Sequence, residues 1–211
     1  GDHAPEFHAM TTQGKIDFPA DYKGSWVVLF SHPADFTPVC TTEFIALSRM
    51  NETFESLNTK LIGLSIDSLH SHLGWIKSIE ALNFNNEGKV KIPFPIIADI
   101  SMNVARKYGM LQTVANTQTV RAVFIIDPEG MIRTILYYPM STGRNIPEII
   151  RILQSLQLND KTHYSTPANW QPGDAVVMGA PLTIEEAQER LESSDNTIKP
   201  LDWYLTMKKM K

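Results

Sequence analysis

Short apolar segments alternate along this chain with segments in which apolar residues recur every three or four positions. The apolar runs are typical of buried strands, and the repeating segments are typical of amphipathic helices. The predicted strands cover 26–30, 61–66 and 95–98, and the helical patterns follow them over 40–57, over 69–82 and up to Tyr108. Since consecutive parallel strands need a long crossover connection, this alternation favours a parallel sheet with helices between its strands. The pattern therefore predicts an α/β fold.

Two further strands are predicted over 120–126 and 131–138. The residues between them read Asp-Pro-Glu-Gly, which is typical of a type I turn and so of a hairpin. A helix is expected to begin at Asn145, because Asn145 and Glu148 have the spacing of a capping box. The hairpin adds antiparallel strands to the parallel ones. A mixed sheet of this kind, flanked by helices, resembles the thioredoxin-like architecture.

The character of the chain changes after residue 158. Residues 159–173 are rich in polar and turn-forming residues, and Thr183 begins a second capping box that opens a short helix to about Leu191. These residues supply few apolar side chains for a core of their own. We predict a thioredoxin-like domain over 1–158 and a C-terminal extension over 159–211, which packs on the main domain or on another subunit, as the arm of a dimer or larger oligomer.

The composition excludes several classes of protein. The 211 residues include 23 acidic and 19 basic ones, a net charge of −4, without a basic cluster of the kind that binds nucleic acid. No apolar run approaches the roughly 20 residues that span a bilayer, and no segment resembles a secretory signal. We therefore expect no nucleic-acid partner, no membrane association and a cytoplasmic location.

The chain has a single cysteine, Cys40, at the predicted junction of a strand and a helix. A helix N-terminus carries partial positive charge and unpaired N–H groups, which favour a thiolate, the nucleophilic form of cysteine. Position alone is equally compatible with a small buried apolar residue. One cysteine excludes an intramolecular disulfide and any multi-cysteine metal site, and it suits a reducing compartment.

The six histidines show no spacing typical of a metal site. His70 and His72 lie two residues apart, on different faces of the predicted helix, and we expect both to be solvated. Neither a metal nor another cofactor is predicted.

Pro33, Thr37 and Cys40 form a Pro-x-x-x-Thr-x-x-Cys motif within SHPADFTPVCTTEF. This segment resembles the active-site loop of the peroxiredoxins. Four further segments resemble the one-cysteine, type-six branch of that family: SIDSLHSHLGWI (65–76), VRAVFIIDPEG (120–130), ILYYPMSTGRN (135–145) and NWQPGD (169–174). The resemblance covers nearly the whole chain, and it is strongest over 25–156 and weakest after 175.

The resemblance implies a thiol-dependent peroxidase in antioxidant defence, which reduces hydrogen peroxide and organic hydroperoxides. Cys40 would be the peroxidatic cysteine and would become a sulfenic acid. Since the chain has no second cysteine, its reduction is expected from an external thiol, a thiol protein or Cys40 of another subunit. The family also implies a homodimer, and some relatives form rings of five dimers. Trp170, Trp203 and Tyr204 are candidates for the dimer contact.

Peroxide cleavage by a thiolate needs donors that hold the peroxide in line and positive charge for the leaving oxygen. By resemblance, Arg121 contacts the thiolate and the peroxide, Thr37 offers a hydroxyl to the peroxide, and Pro33 keeps water away and fixes the loop. Without the resemblance, Arg121 reads as a surface charge, Thr37 as a loop residue bonded to its own backbone, and Pro33 as a turn proline.

Three more residues are expected around this centre. By resemblance, Glu43 pairs with the arginine and orients it, Arg144 is the second arginine of that network, and His32 lies beside the pocket. Otherwise, Glu43 suits the dipole of the helix it begins, Arg144 forms a salt bridge near a helix start, and His32 is a structural histidine.

Two other functions compete with the peroxidase. A cysteine hydrolase would need a histidine near Cys40 and a third group to orient it, and His32 is available for that role. A thioredoxin-like domain could also act without catalysis, as a binding protein or chaperone.

Some mammalian members of this branch are described as phospholipases with a Ser-His-Asp set. Ser25 matches the serine, but Pro19 and Glu129 stand at the other two positions. A serine without a base beside it is not activated, so no phospholipase activity is expected.

Overall fold

The computed structural model describes residues 1–111 and 118–210. That part of the chain divides into two compact units, Gly1–Ile146 and Pro147–Lys211. None of its helices combines the length and the apolar character needed to cross a bilayer.

Seven strands form the sheet of the first unit. They are β1 (Phe7–Thr11), β2 (Gly14–Phe18), β3 (Trp26–Ser31), β4 (Thr59–Ser65), β5 (Ile96–Ala98), β6 (Arg121–Ile126) and β7 (Ile132–Tyr138). Their order across the sheet is β2-β1-β5-β4-β3-β6-β7. β3, β4 and β5 pair in parallel, whereas β6 pairs antiparallel with both β3 and β7. The predicted mixed sheet is confirmed.

The N-terminal hairpin of β1 and β2 was absent from the sequence prediction. Its strands have five residues each, and Phe7, Thr11 and Phe18 are buried. β1 pairs with β5 through Thr11 and Ile97, which extends the sheet on that side. The alternation of Phe7, Ala9 and Thr11 was a usable period-two signal. It is weak because Ala9 and Ile16 are only partly buried.

Helices connect these strands. They are α1 (Pro38–Arg49), α2 (Asn51–Ser56), α3 (Leu69–Ala81) and α4 (Asn103–Lys107). The prediction of a single helix over 40–57 is wrong, because the structure has two helices there, α1 and α2. They are divided at Met50, where φ is −94° and ψ is 4°. The predicted stop after the fourth helix is confirmed: Gly109 follows α4 with φ +63°, the left-handed conformation typical of a helix end. The Gly130 N–H donates to the Asp127 carbonyl over 2.9 Å, which confirms the turn between β6 and β7.

The core between the sheet and α1 is aromatic. Every residue of β3 is buried, and Phe30 packs edge-on against Phe44 of α1 and against Phe94, with ring centroids 5.5 and 5.6 Å apart. Gly63 of β4 lies below this group. A Cβ there would be 3.3 Å from Phe30 Cζ and 3.4 Å from Phe44 Cζ. The absence of a side chain at residue 63 therefore lets α1 approach the sheet.

The second unit contains α5 (Ile146–Thr162), β8 (Val176–Val177), α6 (Ile184–Leu191), β9 (Ile198–Pro200) and β10 (Thr206–Lys208). Its strands form an antiparallel sheet in the order β8-β10-β9. The second capping box is confirmed, because Thr183 Oγ1 accepts a hydrogen bond from the Glu186 N–H. The helix α5 continues across residue 158, where the sequence placed the end of the first domain. That domain boundary stays a prediction. The prediction that Trp170 contacts a partner subunit is wrong, because its side chain is buried. Trp203 and Tyr204 are half exposed.

We expect Gly63→Ala to lower the free energy of unfolding by about 1–3 kcal/mol, the usual cost of overpacking a dense core. The added methyl group has to displace two fully buried rings. Urea denaturation checks this value. Gly74→Ala is the matched control: its Cβ would be 3.6 Å from Phe36 Cζ in an exposed stretch of α3, so the better helix former should raise stability by about 1 kcal/mol. A Gly63→Ala protein as stable as the wild type would contradict this account.

Candidate active site

Cys40 lies in the first turn of α1 and is completely buried. The segment between β3 and α1, residues 32–37, is called here the cysteine loop. Thr37 is the N-cap of α1, and Pro38 occupies the next position, where its missing N–H costs no hydrogen bond. The Thr37 side chain does not cap the helix. Cys40 therefore lies at the positive end of the α1 dipole, where the first-turn N–H groups lack a side-chain cap.

Arg121, at the start of β6, brings a positive charge to Cys40. Its Nη1 lies 3.2 Å from Cys40 Sγ and 2.9 Å from Glu43 Oε2, and its Nε donates to the Met140 carbonyl over 3.0 Å. β6 lies beside β3 with Phe30 opposite Val123, so the first residue of β6 is placed near the end of β3. The predicted surface alternative for Arg121 is wrong, because the residue is buried.

Glu43 lies three residues after Cys40, on the next turn of the same face of α1. It accepts hydrogen bonds from Arg121 and from Arg144. The Arg144 Nε and backbone N–H reach Glu43 Oε1 over 3.0 and 2.9 Å, and the Arg144 Nη2 reaches Glu43 Oε2 over 2.7 Å. This bidentate contact holds the Glu43 carboxylate and the Arg144 guanidinium in one plane. The structure therefore brings Cys40, Glu43, Arg121 and Arg144 together.

Arg144 also ties this cluster to the sheet. Its Nη1 donates to the carbonyl oxygens of Ser31 and Ala122, at 2.9 and 3.2 Å, at the ends of β3 and β6. Its guanidinium lies 5.1 Å from the ring centroid of Phe30. Arg144 thus joins α1 to two neighbouring strands.

The charges of this cluster do not cancel without Cys40. Two guanidinium groups and one carboxylate leave one positive charge in a site whose side chains are almost fully buried. An unpaired charge away from water is costly. A thiolate at Cys40, hydrogen-bonded to Arg121, makes the cluster neutral. The charge count therefore favours the ionised form of the cysteine.

Thr37 and Pro33 lie in the cysteine loop, and Pro33 is buried. The Thr37 hydroxyl donates to the Ala34 carbonyl over 2.8 Å, which is the backbone contact considered as its alternative. Its oxygen still has lone pairs with which it can accept a hydrogen bond. Thr37 is only partly buried, so that oxygen is within reach of a small molecule.

His32 is buried at the start of the cysteine loop, and it bonds to Asp35 rather than to Cys40. His32 Nε2 lies 2.8 Å from Asp35 Oδ1, while its Nδ1 has no hydrogen-bond partner among the described residues. Asp35 is also contacted by His72 Nδ1, at 2.8 and 3.0 Å from its two oxygens. The prediction that His72 is solvated is wrong, because His72 is completely buried in α3.

Asp35 and His72 were missed as site residues. The available signals were the one carboxylate in the short loop before α1 and the spacing of His72, Trp75 and Ile79, which form the buried face of α3. Burial lowers the pKa of His32, which keeps its ring neutral. Burial alone would raise the pKa of Asp35, but hydrogen bonds from the two histidines hold it well below its ordinary value.

In the described part of the chain, one group of side chains is close enough together to hold a metal ion. The possible ligand atoms of His32, Asp35 and His72 lie within 4.8 Å of one another. The distances from the Asp35 oxygens to His32 Nε2 and to His72 Nδ1 are both 2.8 Å, the length of a direct hydrogen bond. Three of the four imidazole nitrogens and the Asp35 carboxylate therefore already have hydrogen-bond partners, and only His32 Nδ1 lacks one among the described residues.

Ser25 lies elsewhere, in a cavity of about 240 Å³ that Pro19 and Glu129 also line. No histidine is among the residues that line this cavity. The expectation of no phospholipase activity stays a prediction, and this lining agrees with its physical reason.

Comparison with known proteins agrees with this geometry. Residues 1–135 match the AhpC/TSA family, and residues 155–194 match the C-terminal domain of 1-Cys peroxiredoxin. A peroxiredoxin of Methanosarcina mazei is 56% identical over 211 residues, covering 99% of this chain and 96% of that protein. A peroxiredoxin of Aquifex aeolicus is 47% identical, covering 100% and 96%.

Two solved structures are similar over almost the whole chain. The yeast mitochondrial 1-Cys peroxiredoxin, whose thiol is resolved through glutathione and thioredoxin systems, has a TM-score of 0.86 at 41% identity and covers 99% of this chain and 98% of its own. A cysteine-to-serine mutant of peroxiredoxin 6 of Arenicola marina has a TM-score of 0.84 at 36% identity and covers 100% and 98%. With one cysteine and matches of this extent, the chain belongs to the one-cysteine peroxiredoxins.

Proposed function

We propose that Cys40 is the peroxidatic cysteine of this thiol-dependent peroxidase and that its substrates are hydrogen peroxide and small organic hydroperoxides. The observation that carries the proposal is the contact of 3.2 Å between Arg121 Nη1 and Cys40 Sγ, in a buried cluster that lacks one negative charge. A thiolate supplies that charge and is the reactive form of the thiol.

In the proposed reaction, the thiolate of Cys40 attacks one peroxide oxygen and the O–O bond breaks. The S–O bond forms, the second oxygen leaves as hydroxide or alkoxide and takes up a proton, and the sulfur becomes a sulfenic acid. Sulfur is oxidised by two electrons while the peroxide is reduced. Arg121 is held by Glu43 and the Met140 carbonyl, so its charge faces the reacting atoms without rearrangement.

Thr37 and Pro33 are proposed to shape the peroxide site. Because the Thr37 hydrogen is donated to the Ala34 carbonyl, its oxygen is suited to accept the hydrogen bond of a peroxide O–H. Such a contact would orient the peroxide for attack in line with the O–O bond. Buried Pro33 has no N–H to attract water beside the thiol, and its ring restricts the loop.

Arg144 and His32 are proposed to act through their neighbours. Arg144 holds the carboxylate of Glu43, which in turn holds Arg121. His32 stays neutral because burial lowers its pKa, so it adds no positive charge to the site. Its Nε2 is bonded to Asp35, and its Nδ1 has no hydrogen-bond partner among the described residues, so His32 makes no hydrogen bond to Cys40 of the kind that a cysteine hydrolase needs.

The sulfenic acid is resolved from outside the chain. A first thiol condenses with it to a mixed disulfide and releases water, and a second thiol then restores the cysteine. Support comes from the single cysteine of the sequence and from the yeast relative, described with glutathione and thioredoxin systems. We propose a cytoplasmic location, because a free thiol must stay reduced between turnovers.

We also propose that the protein is a homodimer, with a ring of five dimers as a further possible assembly. Trp203 and Tyr204 are half exposed and pack edge-on, with centroids 5.5 Å apart. Ile135 and Tyr137 are exposed on the edge strand β7. Exposed aromatic residues and an edge strand with exposed apolar side chains are features that a second subunit commonly covers. Light scattering across a range of protein concentrations tests this assembly.

Cys40→Ser should abolish peroxide consumption in the presence of a small thiol, because it removes the attacking sulfur. The rate of peroxide loss measures this directly. In the wild type, excess peroxide should add two or three oxygens at Cys40, which intact mass spectrometry detects. A protein that instead becomes quantitatively a covalent dimer is resolved by Cys40 of a second subunit. A variant that keeps full peroxidase activity would contradict the proposed nucleophile, and loss of activity excludes a purely non-catalytic chaperone.

Glu43→Gln should reduce both activity and stability, because it leaves two guanidinium groups buried without their carboxylate. Removing one partner of a buried ion pair typically costs about 3–5 kcal/mol. The free energy of unfolding and kcat/KM for hydrogen peroxide are the two measurements. Glu55→Gln, an exposed residue of α2, is the matched control and should leave both unchanged. Equal effects of the two substitutions would argue against the network.

Arg121→Lys keeps the charge but cannot make the same set of contacts, since a lysine has one nitrogen for three partners. We expect kcat/KM to fall by about 10²-fold or more, as when one donor of an oxyanion hole is removed. Steady-state kinetics test this value. Arg106→Lys, on the exposed side of α4, should have wild-type kinetics. Wild-type kinetics for Arg121→Lys would mean that charge alone is sufficient.

A further inference from the structure

His72 connects the third helix to the cysteine loop. Its Nδ1 lies 2.8 Å from Asp35 Oδ2, while its Nε2 lies 3.1 Å from the Ile97 carbonyl at the edge of the sheet. The side chains of Asp35 and His72 are exposed by only 1% and 0%. Water therefore does not compete for this contact, and both groups depend on each other.

The partners of His72 define its protonation. A carbonyl oxygen can only accept, so Nε2 carries a proton toward Ile97. The Asp35 carboxylate, ionised in this site, also only accepts, so Nδ1 carries a second proton. With both ring nitrogens protonated, His72 is an imidazolium. His72 and Asp35 therefore form a buried ion pair.

Three further ionisable groups lie around this pair. His32 faces Asp35 from the cysteine loop as an uncharged ring, 6.0 Å from the His72 ring between centroids. Asp67, before α3, accepts the Asp35 backbone N–H over 3.0 Å and the Ser65 hydroxyl over 2.7 Å. The charge of Arg144 contributes to lowering the pKa of His32. His72 is thus the positive group that contacts Asp35 directly from α3.

The cysteine loop needs such an anchor, because part of it is strained. Phe36 has φ +55°, a conformation that a bulky side chain rarely adopts, and its ring is exposed. Asp35, next to it, is fixed through its carboxylate and its N–H. A second link from α3 is the hydrogen bond of 3.2 Å from Trp75 Nε1 to Thr41 Oγ1 of α1. The helix α3 therefore contacts the loop just before Phe36, through Asp35, and the helix α1 that follows it, through Thr41.

We propose that His72 and Asp35 are positioning residues of the peroxidase reaction: the buried ion pair holds the cysteine loop in the conformation that binds peroxide. The inference rests on the proposed role of Cys40, but it concerns residues that do not touch the peroxide.

The protonation state can be measured on the wild-type protein without any substitution. Long-range ¹H–¹⁵N NMR distinguishes protonated from bare imidazole nitrogens. At neutral pH we expect both nitrogens of His72 to be protonated and His32 to be protonated on Nε2 alone. A His72 ring with one bare nitrogen at neutral pH would overturn the ion pair. So would uptake of one Zn²⁺ per chain that is lost in His72→Gln, since a metal-bound nitrogen cannot carry a proton.

Substitutions test the positioning role. Asp35→Asn and His72→Gln each leave one buried charge unpaired, and we expect each to slow the reaction of the reduced enzyme with hydrogen peroxide by about 10- to 100-fold. The double variant removes both charges and should react faster than either single variant, a coupling that general destabilisation does not produce. His70→Gln, an exposed histidine on the same helix, is the matched control. Additive losses in the double variant would contradict the proposal.

Access to the oxidised sulfur provides a readout that separates positioning from chemistry. After one equivalent of peroxide, the sulfenic acid is trapped with dimedone, and the trapping rates of His72→Gln and wild type are compared as a ratio at neutral pH. We expect this ratio to exceed one, because the substitution removes the contact that holds the cysteine loop. A ratio of one would overturn the positioning role. If no sulfenic acid forms on Cys40 in wild type, the proposed function fails first, while the NMR result still tests the ion pair.

Discussion

The carboxylate of Glu43 is held between two guanidinium groups inside the protein, and the arrangement of the site depends on that contact. Either arginine alone would be an unpaired charge in an apolar interior. Glu43 satisfies both, and Arg144 passes the constraint on to the ends of β3 and β6 through two backbone carbonyls. Because Glu43 is one turn from Cys40 on α1, the same contact fixes the distance between the thiol and Arg121.

This network explains how a buried thiol becomes a nucleophile. Burial alone disfavours a charged sulfur, because it removes water from the thiolate. The remaining positive charge of the cluster offsets that cost at the one atom that Arg121 contacts. The first turn of α1 adds N–H groups that the Thr37 side chain leaves uncapped. Reactivity here is a property of several elements of the fold, since no single neighbour of Cys40 would provide it.

Burial also creates a conflict in the catalytic cycle. Peroxide is small, but the thiol that reduces the sulfenic acid must bring its own sulfur to a residue with no exposed surface. The cysteine loop therefore has to be rigid for the first half of the reaction and displaceable for the second. The loop carries one strained residue, Phe36, and next to it Asp35 is held by α3.

The sequence was sufficient for the strands and helices that bring Cys40 to a helix start, because short apolar runs and helical spacing reflect local burial. Glu43 was also accessible, since three residues along a helix place it on the same face as Cys40. Arg121 lies 81 residues from Cys40 in sequence, and only the resemblance to a family connected the two. The N-terminal hairpin was missed because its strands are short and only partly apolar.

What the sequence by itself determined is an α/β fold with one cysteine at the beginning of a helix, and hence a reaction that needs a second thiol from elsewhere. The tertiary structure decided which charges surround that cysteine. Glu43 meets two arginines, and Asp35 meets His72, across segments far apart in the chain, and no spacing in the sequence reveals these contacts. Burial makes each of those partners necessary, because a charge removed from water is stable only beside its counter-ion.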